Sequence, residues 1–118
     1  MEPVNLARKL ALFDDHWQPR IVAETNGQKV MLVKVLGEFV WHSHADSDDL
    51  FLVLSGRLLI DLPDETITLE PGELVVVPRG IEHRPRAAEL TELLLIEPLG
   101  VANTGDAASD RTAPEQRI

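Results

Sequence analysis

The chain has no cysteine and no tyrosine among its 118 residues. Without thiols there is no disulfide framework, no thiolate nucleophile and no Cys-ligated zinc. A cysteine-free chain suits a reducing compartment, and a cytoplasmic location is expected. Positive charge is scarce too: 11 Lys and Arg face 20 Asp and Glu, a net charge of -9. Such a surface repels phosphate backbones and anionic lipid, so no nucleic acid and no membrane is expected as a partner. Long apolar runs are missing. Stretches such as Leu50 to Leu54 are far too short to span a bilayer. Met1 to Asn5 is neither basic nor followed by an apolar stretch, so no signal peptide is expected.

What is present reads as one globular unit. Hydrophobic content is 44% and charged content 26%, ordinary for a folded domain. A chain of this length buries roughly two-thirds of its unfolded surface. Leu6, Leu10 and Phe13 have helical spacing behind Asn5, a suitable N-cap, so a short helix is expected over 5–13. From Arg20 the pattern turns to strands. Arg20 to Thr25 and Gln28 to Leu36 flank Asn26-Gly27, whose residue types suit the positive φ angles of a tight hairpin. Gly37 is expected to bulge or break the second run before it resumes at Phe39 to His44. Further strands are expected at Asp49–Leu54, Arg57–Leu62, Thr66–Leu69, Leu74–Val77 and Glu92–Glu97. Their turn punctuation is Ser55-Gly56, Pro63-Asp64, Pro71-Gly72 and Pro78-Arg79-Gly80. Short strands at such spacing, with no helical pattern between them, imply an all-β sandwich or barrel with its core over about 20–98. The tail, 101–118, is small, polar and weakly patterned. It is expected to be mobile, or pinned only by a partner subunit.

Chemistry concentrates in four residues. His42 and His44 are two apart, so on an extended chain both imidazoles point to one face. Asp49 opens the next strand after a polar loop. His83 lies some forty residues on and reaches the same place only if the sheet closes into a barrel. Three imidazoles and a carboxylate suit a divalent Fe, Mn, Ni, Co, Cu or Zn ion. An octahedral ion held by four protein ligands keeps two positions open. The competing bland reading is a set of solvated or core histidines; it fits His16, whose spacing matches no ligand pattern, but not the cluster.

These residues fall in a known pattern. Gly37, His42, His44, Asp49 and Gly56 match a first motif, and Gly72, Pro78, Gly80 and His83 match a second. The chain resembles a cupin, and is particularly similar to small single-domain bacterial cupins with a Trp-His-x-His start. The resemblance covers roughly 20–98. It implies an all-β, cupin-type jelly roll, a double-stranded β-helix barrel with a short N-terminal α-helix. It also implies a metal held by His42, His44, Asp49 and His83, and a homodimer. Two departures stand out: Asp49 replaces the motif's Glu, one methylene shorter, and Ala87 stands where a final Asn is expected. Asp48 also fits the looser spacing, but only Asp49 leaves six residues before Gly56.

Other residues carry weaker expectations. Gly56, Gly72 and Gly80 read as turn glycines, and Pro78 as the residue that fixes the turn presenting His83. Arg79, at that turn, reads as solvated. Phe51 and Val53 share the parity of Asp49; core packing explains both, and both are candidates to line a pocket beside the metal. Trp41 has the opposite parity and is expected on the outside of the sheet. Glu38 and Glu97 are candidate general bases, since no Tyr or Cys exists to take that role. The expected function is a metalloenzyme acting on a small organic substrate, and the resemblance to cupins implies dioxygenase-like or isomerase-like chemistry. Strands rich in Leu, Val and Ile disfavour a sugar pocket. The alternative is a non-catalytic cupin that binds or senses a small ligand around a structural metal.

Overall fold

The computed structural model describes residues 1–118. One short helix, α1 (Leu6–Leu10), precedes seven strands: β1 (Arg20–Thr25), β2 (Gln28–Glu38), β3 (Asp49–Ser55), β4 (Leu58–Asp61), β5 (Thr66–Leu69), β6 (Leu74–Val77) and β7 (Arg84–Pro98). Asn5 caps the helix, its Oδ1 accepting from the Arg8 amide at 2.9 Å. The helix stops three residues short of the expected 13. There Lys34 Nζ donates to the Phe13 carbonyl at 2.7 Å and ties the chain to β2 instead.

All pairings between strands are antiparallel. The main path runs β1-β2-β7-β3-β6, and β4 pairs with both β5 and β7. The organising element is β7. Its C-terminal half pairs with β2 and β3, and its first residues pair with β4 and the end of β2. Only its second half, Glu92–Glu97, is legible from the sequence. Pro85 hides the first half, because proline normally demotes a strand. Here Pro85 has no amide to lose, and its carbonyl accepts from Phe39 N–H at 2.9 Å. Asn26 and Gly27 adopt φ of 52° and 74°, as the hairpin requires. Gly37 coincides with a register shift between Val35 and Gly37. Past it the expected strand over Phe39–His44 does not form. Only His42 makes an isolated bridge, to His83.

Alternate residues fill the interior. Asp49, Phe51 and Val53 of β3 and Thr91, Leu93, Leu95 and Glu97 of β7 are all buried. Phe51, Val53, Leu93 and Leu95 close on Met31, Val33, Val35, Leu58, Ile60 and Val77 in one hydrophobic cluster of 15 buried residues. Leu32 points the other way and is covered outside the sheet by Leu10 and Phe13. That accounts for α1: its apolar side seals the back of β2.

The tail corrects an expectation. It is not loose, and this chain's own barrel pins it. Ile21 N–H donates to the Gln116 carbonyl at 2.6 Å, and Ile118 N–H donates to the Ile21 carbonyl at 3.1 Å. Lys29, 3% exposed, donates to the Val101 carbonyl and to Glu115 Oε2, both at 2.8 Å. Asn103 brackets the tail turn, its amide bonding the Arg111 carbonyl and the Ala113 amide. These bonds are polar and far apart in sequence, so no local apolar pattern announces them.

Candidate metal centre

The four sequence candidates meet. One ligand atom from each of His42, His44, Asp49 and His83 lies within 4.8 Å of every other, and all four residues are buried. Backbone pairing sets this up. His42 N–H donates to the His83 carbonyl at 3.0 Å and His83 N–H returns the bond at 2.9 Å, so the two rings sit 4.3 Å apart. The Gly80 amide donates to the His44 carbonyl at 2.8 Å and ties the second motif's turn to the first motif. Asp49 is the first residue of β3, opposite Val77 at the end of β6. Its neighbour Asp48 faces outward and accepts from the Arg79 amide at 3.0 Å and its Nε at 3.2 Å. Parity thus separates two carboxylates that spacing barely distinguishes, and Arg79 is tethered to that surface carboxylate.

The donor atoms are free to ligate. The Nδ1 atoms of His42 and His83 lie 2.9 Å from the carbonyls of Val40 and Ile81, which fixes them as N–H donors and leaves each Nε2 its lone pair. His44 Nε2, His83 Nε2 and Asp49 Oδ1 are buried with no hydrogen-bond partner. His44 Nε2 approaches Asp49 Oδ2 to 3.3 Å without hydrogen-bond geometry. Orphaned buried polar atoms cost roughly 1–3 kcal/mol each, and three such side chains converging with His42 fit a divalent ion. Burial, first among the causes, holds the His42 imidazole down at about 4, so it is neutral at pH 7 as a ligand must be. Burial pushes the Asp49 carboxyl up, but the imidazoles of His44 and His83 outweigh it and leave Asp49 below its usual range.

Beside the cluster lies a cavity of about 30 Å³, with His42 and Asp49 on one wall. That exceeds the roughly 10–15 Å³ a single water needs. Its other walls are Trp17, Phe39, Phe51, Leu93 and Leu95, with Glu97 as the only other acid. Phe51 is therefore at the site, its ring 6.0 Å from that of His83. Val53 is wholly buried in the core and does not line this cavity. Of the two candidate bases, Glu38 is exposed and 3.3 Å from Arg84, away from the cavity. Glu97 is 3% exposed, with Oε2 unpartnered. Burial first, and then the Asp49 charge, push its carboxyl up to about 9. Trp17 escaped sequence reading because it sits in a loop at φ 60°. It is held there by a bond from its Nε1 to the Leu36 carbonyl and by stacking on Phe39. The parity of Leu93, Leu95 and Glu97 on β7 was a usable signal for those three. Nothing local marks Asn103, which reaches the cavity from the tail.

A second hollow, an open cleft of about 340 Å³, lies between His44–Ser47 and tail residues including Val101, Ala102, Gly105 and Asp106.

Comparison with known families settles the ancestry. Residues 29–97 match the cupin domain. The chain belongs to the cupin family. This cupin is 49% identical to a cupin-2 domain protein of Shewanella frigidimarina, with a TM-score of 0.80 over 80% of this chain and 93% of that one. Protein NMB1881 of Neisseria meningitidis is 38% identical, with a TM-score of 0.76 over 82% of this cupin and 99% of its own chain. The uncharacterized protein YdbB of Bacillus subtilis is 43% identical over 77 residues, 64% of this chain and 68% of its own. The fold is the all-β barrel that the two motifs implied. No helix is long and apolar enough to cross a membrane.

Proposed function

We propose that this cupin is a metalloenzyme acting on a small organic molecule, with His42, His44, Asp49 and His83 as its metal ligands. One observation carries the reading: four buried donor side chains converge, most of their ligand atoms lack protein partners, and an apolar cavity opens beside them. When bound, the ion supplies Lewis acidity and, if redox-active, the capacity to activate dioxygen. The chain's own residues do the rest. Trp17, Phe39, Phe51 and Leu95 exclude water, and Glu97 offers a buried carboxyl that can hold a proton near neutral pH.

Between the two chemistries, the lining favours oxidation of an uncharged substrate. Solved cupins similar in fold include a putative sugar phosphate isomerase of Acidithiobacillus ferrooxidans, 19% identical with a TM-score of 0.56. A phosphorylated sugar needs cationic partners. No lysine or arginine lines either the cavity or the cleft. The alternative, a non-catalytic binding or sensing cupin with a structural metal, draws on the small size of the cavity, about 30 Å³. A homodimer completes the proposal. Leu74 and Val76 lie exposed on β6, at the end of the strand path, and offer apolar surface to a second copy.

The test is metal content of the untagged protein by elemental mass spectrometry, followed by oxygen-uptake screens against small neutral substrates. Iron, manganese or nickel near one per chain, with substrate-dependent uptake, supports the enzyme. Tight zinc with no turnover supports the binding module.

A further inference from the structure

Ser43 lies between two candidate ligands, and the tail grips it. The Ser43 amide donates to Asp106 Oδ1 at 2.8 Å, and its hydroxyl donates to Asp106 Oδ2 at 3.2 Å. The Asp106 amide donates back to the Ser43 carbonyl at 3.0 Å. Three bonds thus join one residue of the ligand loop to one residue 63 positions away. Gly105 makes the approach possible. At φ 56°, a Cβ there would collide with the Ser43 carbonyl and come within 3.2 Å of His42 Cδ2. Thr104, just before, is 1% exposed, and its hydroxyl meets that of Thr112 at 2.5 Å. The segment 42–44 has no ladder of its own beyond the His42–His83 bridge. Without the tail, nothing but Gly80 N–H holds the backbone at His44.

We propose that Asp106 is a positioning residue for the metal centre: by clamping Ser43 it fixes the relative placement of His42 and His44, so that the C-terminal tail is part of the site. The inference rests on the metal reading above. Charge-assisted bonds of this kind are short and directional, and ligand placement within about half an ångström decides how tightly an ion is held. The tail also forms one wall of the cleft beside His44. The latch therefore links the geometry of the ligands to the shape of that cleft.

The experiment compares wild type with Asp106→Ala, Asp106→Asn and, as a control, Arg117→Ala. Arg117 pairs with Glu24 at 2.8 Å on the surface and touches neither Ser43 nor the ligands. Each protein is loaded with Co(II), and the visible spectrum and the rate of loss to a chelator are recorded. Asp106→Ala is expected to release cobalt about tenfold faster with an altered spectrum. Asp106→Asn, which keeps an acceptor for the Ser43 amide, should recover most of the wild-type behaviour, and Arg117→Ala all of it. Unchanged spectrum and release in Asp106→Ala would overturn the proposal, as would an equal loss in Arg117→Ala. The same variants without metal give an independent reading, through the imidazole N–H signals of His42 and amide exchange at Ser43. If these shift in Asp106→Ala while wild type takes up no cobalt, the latch stands and the metal reading falls. If neither moves, the latch falls whatever the metal does. Should Asp106→Ala not fold, Asp106→Asn against Ser43→Ala carries the same comparison with milder losses.

Discussion

The barrel and the tail are held by different forces. The barrel closes around 15 buried apolar residues, and its strands are recorded in alternating side chains. The tail holds on mainly by hydrogen bonds and ion pairs, Lys29 with Glu115, Asp106 with Ser43, Gln116 and Ile118 with Ile21, with Ile118 also packed against the small cluster of Leu10, Phe13 and Leu32. Apolar burial is non-directional and sums over many contacts, so it leaves a periodic trace in the sequence. Isolated polar bonds leave none. Yet both regions reach the same four side chains, the barrel through Asp49 on β3 and the His42–His83 bridge just before β7, and the tail through Ser43. The difference teaches that a site can be readable while part of its support is not.

The comparison breaks most completely at the cluster itself. His83→Ala and His44→Ala should each abolish stoichiometric metal, measured by elemental analysis, while exposed His16→Ala keeps it. Full occupancy in His83→Ala would mean the site is drawn wrongly. Next comes the barrel core. Leu58 is fully buried, and Leu58→Ala should cost about 2–5 kcal/mol in urea unfolding. Gly56→Ala should follow at about 2 kcal/mol or more. Its φ is 87°, and a Cβ there would stand 2.7 Å from the Leu90 carbonyl.

Protons sharpen the contrast inside the barrel. His42 titrates at about 4 when folded and near 6.5 when unfolded. The unfolded chain binds that proton first, so this stability is full above pH 6.5 and lost as pH falls to 4, about 3 kcal/mol. Glu97 runs the other way. Its folded value near 9 exceeds its ordinary 4.5, so its share is present below 4.5 and lost as pH rises to 9. In the metal-free protein the two oppose each other between 4.5 and 6.5, and Glu97 acts alone above. Stability of wild type should therefore fall from pH 6.5 to 9. Glu97→Gln should remove that decline and uncover the acid loss from His42. Parallel pH profiles in the two proteins would contradict the placement of Glu97. The smallest effect belongs to the tail's rim: Arg117→Ala, removing an exposed pair with Glu24, should leave the urea midpoint essentially unchanged.

Legibility follows the same division. His42, His44, Asp49 and His83 stood out because two motifs fix their spacing, and the six residues before Gly56 told Asp49 from Asp48. Asn26-Gly27 and Gly37 announced a hairpin and a bulge through conformations that few residues adopt. Pro85 concealed the first half of β7, since its role depends on a partner, Phe39, far away in sequence. Trp17 belonged to no periodic segment. The tail read as loose because Asn103, Asp106 and Glu115 look like any polar surface until their partners are known.

The most direct measurement is an anomalous-difference map from crystals of the protein loaded with a single first-row metal. The account predicts one strong peak within bonding distance, roughly 2.0–2.2 Å, of His42, His44, Asp49 and His83. A map with no peak among those four side chains, or with the ion elsewhere on the acidic surface, would contradict it.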